Sequence, residues 1–201
     1  INDGRMVQLS DDGLSVTSEV KKVYDGWQFP REWVTEGMWL ESPKLIYKNG
    51  YYYMTSAEGG TAGPPTSHMC AMARSRSVNG PWEDSPYNPL VHTYSASEPW
   101  WSKGHGTLID DADGNWWMIY HAYPNGQYTL GRHTLIEPMR YTADGWFVPD
   151  TVRSLPDDVV SYTTTGSATN DDFSGAIPDP QWMGWRENPM RHLSTGNGTL
   201  Q

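Results

Sequence analysis

Leu40-Glu41-Ser42-Pro43-Lys44-Leu45-Ile46-Tyr47-Lys48-Asn49-Gly50-Tyr51-Tyr52-Tyr53-Met54 reads as an apolar strand, an Asn-Gly turn and a second, aromatic strand. Asn and Gly tolerate the left-handed backbone that a two-residue hairpin turn demands, so the pair between two β-prone runs is a strong hairpin signal. A lone acid, Glu41, stands at the entrance to the first strand.

Beyond this hairpin come a Gly-rich loop at Glu58-Gly59-Gly60-Thr61-Ala62-Gly63-Pro64-Pro65 and a third strand from His68 to Arg76. Asn79-Gly80-Pro81-Trp82 then turns the chain into a short fourth strand. The same order recurs as Gly106-Thr107-Leu108-Ile109, a turn at Asp111-Ala112-Asp113-Gly114, Trp116 to Tyr120, Tyr128 to Thr134, and a turn at Thr142-Ala143-Asp144-Gly145-Trp146. Leu45-Ile46 returns as Leu108-Ile109, and Tyr53-Met54 returns at almost the same offset as Trp117-Met118. Four short strands per unit at a near-constant period are the mark of propeller blades. No stretch carries a helical period, so the chain is expected to be all-β.

Before the first full unit, Gly4 to Ser10 and Val20 to Tyr24 read as two short strands around the turn Asp11-Asp12-Gly13. Residues 1–30 are thus expected to be the tail of a third blade, about two and a half blades in all. A ring of four to eight blades needs more, and the missing half is expected from the same polypeptide or a second chain. The propeller portion is expected over 1–155. A linker rich in Thr, Ser and Gly follows over 156–170, and the start of a truncated β-sandwich over 171–201.

Composition narrows the partners. The 201 residues include 11 Trp and 12 Tyr against 3 Phe, rings with a polar handle that suit sugar clefts and β-sheet surfaces alike. A net charge of -10 and the absence of any basic run argue against nucleic acid or an anionic membrane as a partner. No apolar run is long enough to span a bilayer. The single Cys70, flanked by Met69 and Ala71, excludes an internal disulfide or a Cys-rich zinc site and is expected in the core. The sequence opens on Ile1 without a basic-then-apolar leader, so the start is expected to be a processed or truncated end.

The first strand of each blade is the innermost, and ligands sit over the axis at one end of those strands. Glu41 and His105, the latter between Gly104 and Gly106, precede successive first strands one blade period apart, so both side chains are expected to converge there. A carboxyl walled in by Trp39 and Tyr47 would be partly desolvated, which favours its neutral form and suits it to donate a proton. The plainer reading has Glu41 capping a strand entrance or pairing with Lys44, with Glu36 and Glu58 as rival acids. His105 reads equally well as a turn histidine bonded to backbone or as a ligand-facing ring.

Glu41-Ser42-Pro43-Lys44-Leu45 with Asn49-Gly50-Tyr51-Tyr52-Tyr53 resembles the Glu-Gly-Pro-His-Leu...Asp-Gly-Tyr-Tyr-Tyr segment of family 43 glycoside hydrolases. Ala57-Glu58-Gly59-Gly60-Thr61, Ala73-Arg74-Ser75-Arg76-Ser77 with Gly80-Pro81-Trp82, Gly104-His105-Gly106, Leu130-Gly131-Arg132 and Asp144-Gly145-Trp146 follow in the family's order, covering residues 36–147. The resemblance implies a five-bladed β-propeller that hydrolyses β-xylosides or α-L-arabinofuranosides of plant polysaccharides with inversion, and no required cofactor. It implies Glu41 as the general acid and Arg132 as a contact to the innermost sugar. It also implies His105 near the axis, holding substrate or a central calcium, with Thr61, His68 and Trp39 beside the site. Ser42 and Lys44 stand where Gly and His are usual, and His133 where a Glu often follows the arginine. The family's two aspartates, the base and the residue that tunes the acid, belong to earlier blades. Two readings compete with the hydrolase: a non-catalytic carbohydrate-binding propeller that keeps the aromatic and Arg132 contacts, and a propeller serving as a protein-interaction scaffold.

Overall fold

A computed structural model of the chain describes residues 3–151 and the backbone of 195–196 and 199–200. The chain divides into two compact units, Ile1–Ser154 and Leu155–Gln201. In the second, β12 (Thr195–Gly196) pairs antiparallel with β13 (Thr199–Leu200). The linker expected over 156–170 and most of the β-sandwich start expected over 171–201 lie outside the described residues.

In the first unit, β1 (Gly4–Met6) pairs antiparallel with β2 (Lys21–Tyr24). Then β3 (Leu40–Lys48), β4 (Tyr51–Glu58), β5 (Met69–Ser75) and β6 (Glu83–Asp84) form an antiparallel meander, with β7 (Val91–His92) pairing farther along β5. A second meander holds β8 (Trp100–Asp110), β9 (Trp116–Pro124), β10 (His133–Tyr141) and β11 (Phe147–Pro149) in chain order. These are the two blades expected from the repeat, and no α-helix occurs among the described residues. No helix there is long and apolar enough to cross a membrane.

The hairpin turn has the geometry its residues dictate. Asn49 and Gly50 take φ of 50° and 82°, bringing Lys48 opposite Tyr51. Two boundaries differ from expectation. Tyr128–Leu130 forms a 3-10 turn and β10 begins only at His133, because Gly131 at φ 76° redirects the chain between them. β8 is longer than the apolar core of its sequence, since it runs through two register shifts, Trp101/Gly104 and Gly104/Thr107, that a strict alternation hides.

The first blade is packed on both faces. Tyr53, Cys70 and Met72 meet Leu108, Met118, Tyr120 and Met139 of the second blade, while Met54 and Ala73 meet Tyr24 and Leu40 on the other side. That explains why β4 and β5 read as continuous buried runs rather than alternating ones. Cys70 is fully buried and free, as its apolar neighbours suggested. Each buried Met or Tyr in this seam stabilises the fold by about 1.5–3 kcal/mol relative to exposure.

Candidate functional site

Both inner strands break register at the same end. In β3 the pairing slips between Glu41 and Lys44, with Ser42 at φ 49°; in β8, Ser102 and His105 take φ of 52° and 58°. Left-handed backbone at a residue other than glycine costs about 1–2 kcal/mol, and bulges of this kind re-aim side chains next to active sites. Glu41 and His105 sit on these two bulges.

They face one cleft of about 360 Å³. Its walls are Trp39 and Glu41 from the start of the first blade, the loop Gly59–Ala62, His68 ahead of β5, His105 on β8, and Arg132 ahead of β10. The candidate site residues Glu41, Arg132, His105, Thr61, His68 and Trp39 therefore line a single cavity. Glu36 lines it too, its carboxylate accepting from the Ala62 backbone N–H at 3.2 Å.

The expected enclosure of Glu41 is not what β3 provides. Glu41 is exposed, and Tyr47 and Trp39 keep 63% and 40% of their surface. The reason is that β3 is an edge strand of its sheet, and beyond Leu40 none of its residues is fully buried. The alternative partner is otherwise engaged, since Lys44 Nζ donates to Ser42 Oγ at 2.9 Å. Of the rival acids, Glu58 is absent from the cleft: it is 3% exposed and accepts from the Trp27 backbone N–H at 2.9 Å and the Ser56 hydroxyl at 3.2 Å. Burial pushes its carboxyl up to about 7 against those two stabilising bonds.

A third ring joins the site that the sequence reading passed over. His121 on β9 stacks on His68 with ring centroids 5.3 Å apart and planes 5° from parallel, and lies 5.4 Å from His105. Its Nε2 accepts from Arg132 Nη1 at 3.2 Å. Only register identifies it: His121 lies opposite Gly104 just as Ala57, one blade period earlier, lies opposite Glu41. Burial, followed by the neighbouring His68 and Arg132, depresses His121 to about 3. Burial above all brings His68 down to about 4. His105 is lowered as well, by burial and by Lys44, with Glu41 opposing. His68 and His121 are therefore neutral at pH 7. Gly104 is required beside them, because a Cβ there would stand 2.1 Å from His68 Cδ2. His133, by contrast, turns away to the Trp100 ring, 5.6 Å off.

Residues 2–147 match the family of glycosyl hydrolases 43, and the chain belongs to that family. Its two blades and the β1–β2 hairpin are part of a five-bladed β-propeller. The chain is 39% identical over 120 residues to a non-reducing-end α-L-arabinofuranosidase of Bacteroides ovatus, covering 56% of this chain and 22% of that protein. It is 35% identical over 159 residues to a xylosidase/arabinosidase of Butyrivibrio fibrisolvens, covering 73% of this chain and 30% of that one. Among solved structures, a xylan β-1,4-xylosidase from Bacillus halodurans superposes with a TM-score of 0.70 at 27% identity, over 94% of this chain and 36% of that one. The chain thus spans about a fifth to a third of the length of these relatives.

Proposed function

We propose that this chain is part of an inverting glycoside hydrolase that removes β-xylosyl or α-L-arabinofuranosyl residues from plant cell-wall polysaccharide or its oligosaccharides. The observation that carries this reading is the convergence of Glu41, Arg132, His105, Thr61 and Trp39 on one cleft in a family 43 chain. Glu41 is the general acid, delivering its proton to the glycosidic oxygen as the bond to the leaving group breaks. Arg132, exposed at the rim and bearing a fork of donors, holds the hydroxyls of the innermost sugar. Trp39 offers a flat apolar face to the pyranose or furanose ring. His105 completes the polar wall.

Inversion also needs a carboxylate base on the far side of the sugar, about 6.5–9.5 Å from the acid, to activate water. In this reading the base comes from blades outside the 201 residues, and full activity belongs to the complete propeller. The glycosidase relatives named above support the substrate class.

The acid role is tested by Glu41→Gln in the complete protein with two aryl glycosides. Turnover is expected to fall by roughly two to four orders of magnitude for a poor leaving group and far less for a good one, since only the former needs protonation. Equal, small losses on both would remove Glu41 from the chemistry and favour the non-catalytic binding propeller.

A further inference from the structure

The histidines do more than the hydrolase reading asks of them. His68, His105 and His121 come from two blades, yet each places a ring nitrogen within 4.8 Å of the others. His68 is 2% exposed, and its Nδ1 lies 2.9 Å from the Gly59 carbonyl. Only a protonated Nδ1 can make that bond, so the lone pair belongs to Nε2. That atom is buried and has no hydrogen-bond partner. An imidazole tied through one N–H to a backbone carbonyl, its other nitrogen bare and aimed at a cluster, is the arrangement that stands behind metal-ligating histidines. His121 Nδ1 is a second buried nitrogen without a partner.

Family resemblance implies calcium at this axis, and the donors do not fit it. Calcium takes six to eight oxygen ligands. The convergence point offers three imidazole nitrogens, with a guanidinium bonded to one of their rings. Imidazole suits zinc, nickel and copper instead. Three nitrogens around one zinc at about 2.0–2.1 Å stand about 3.3 Å apart. The three nitrogens lie within 4.8 Å of one another, so gathering them around one ion takes side-chain rotation of these rings.

We propose that His68, His105 and His121 form a three-nitrogen site for a first-row d-block divalent cation such as Zn2+, and that its occupation releases Arg132. The second clause follows from tautomer bookkeeping. Arg132 Nη1 needs a lone pair on His121 Nε2. If the metal takes Nε2, that lone pair is consumed. If it takes Nδ1, the ring proton must move to Nε2, which then faces the guanidinium as a donor. Either way the Arg132–His121 bond breaks, and metal and arginine compete for one ring.

The test is calorimetric titration of the complete protein with ZnCl2, NiCl2 and CaCl2, a readout independent of glycosidase activity, so its outcome leaves the hydrolase reading untouched. One zinc per chain is expected, with no calcium binding over the same concentrations. His68→Gln and His105→Gln are each expected to weaken zinc by roughly tenfold or more, with folding checked by circular dichroism. His105→Gln carries the test if the buried His68 variant fails to fold. Arg132→Ala, which removes the competing donor, is expected to tighten zinc. Zinc affinity unchanged in the histidine variants, or calcium bound as tightly as zinc, overturns the site. Unchanged or weaker zinc binding in Arg132→Ala overturns the competition.

Discussion

The Arg74 guanidinium lies 3.9 Å from the centre of the Trp146 ring, and its Nη1 donates to the carbonyls of Asp144 at 3.0 Å and Gly145 at 2.8 Å. Arg74 belongs to β5 and Trp146 to the last turn of the next blade, so one side chain fastens the two sheets. Nε also pairs with Glu83 at 3.0 Å. A partly desolvated cation–π contact contributes about 0.5–2 kcal/mol and each hydrogen bond from a charged group about 1.5–3 kcal/mol before losses. Arg74→Ala is therefore expected to lower unfolding free energy by roughly 2–4 kcal/mol in urea denaturation. Arg74→Lys should recover little, because a single ammonium cannot stack on Trp146 and reach both carbonyls. A loss below about 0.5 kcal/mol for Arg74→Ala would show that the blades are held by their apolar seam alone.

Glu58 makes stability depend on pH. Its carboxyl rises from an ordinary 4.5 to about 7 when folded, chiefly through burial. The folded chain therefore binds more protons than the unfolded one between those values, and stability falls as pH rises through that window. The full loss is about 3 kcal/mol, complete above pH 7. In Glu58→Gln one oxygen still accepts from Trp27 N–H and Ser56, both of which meet Oε1. The variant is expected to match the parent near pH 4.5 and to exceed it at pH 8. Parallel denaturation midpoints for the two proteins from pH 4.5 to 8 would contradict the assignment.

Gly104 is the position where a single methyl should disturb the histidine cluster. A Cβ there falls 2.1 Å from His68 Cδ2 and 2.7 Å from its Nε2, and the ring is stacked against His121. Gly104→Ala is expected to cost about 1–3 kcal/mol as an overpacked core does. In a His68→Ala background the same change should cost much less, since the obstructing ring is gone. Equal costs in both backgrounds would mean that backbone freedom, not the ring, requires the glycine.

The propeller was legible because its signals are local: an Asn-Gly turn, a strand order that repeats, and a near-constant spacing between the repeats. Site residues next to turns and glycines, such as Glu41 and His105, stand out for the same reason. His121 does not, because it sits mid-strand among Tyr120 and Ala122 and acquires meaning only from its register against Gly104. Nor does sequence separate Glu58 from Glu36. Both are acids near the Gly-rich loop, and only the three-dimensional path turns one into the sheet and the other into the cleft. The Arg74 and Asp144-Gly145-Trp146 motifs, which carried the family resemblance, hold the two blades together. Enclosure of Glu41 was unreadable because burial of an edge strand depends on what packs beside it.

Arg132 offers the most direct test of how the cleft recognises a sugar. It is exposed at the rim, follows the left-handed Gly131 and is steered by its 3.2 Å bond to His121. A guanidinium contacting vicinal hydroxyls in both the bound substrate and the transition state contributes mainly to binding. Its removal should then raise KM more than it lowers kcat. For Arg132→Ala in the complete protein, KM for an aryl xyloside or arabinofuranoside is expected to rise roughly tenfold or more, the cost of one or two charge-assisted hydrogen bonds. His121→Phe keeps the ring's bulk but removes its acceptor, leaving the guanidinium unsteered, and is expected to reproduce part of that rise. If KM is unchanged in both variants, Arg132 does not touch the sugar. A rise in Arg132→Ala alone would show that the arginine binds without help from His121.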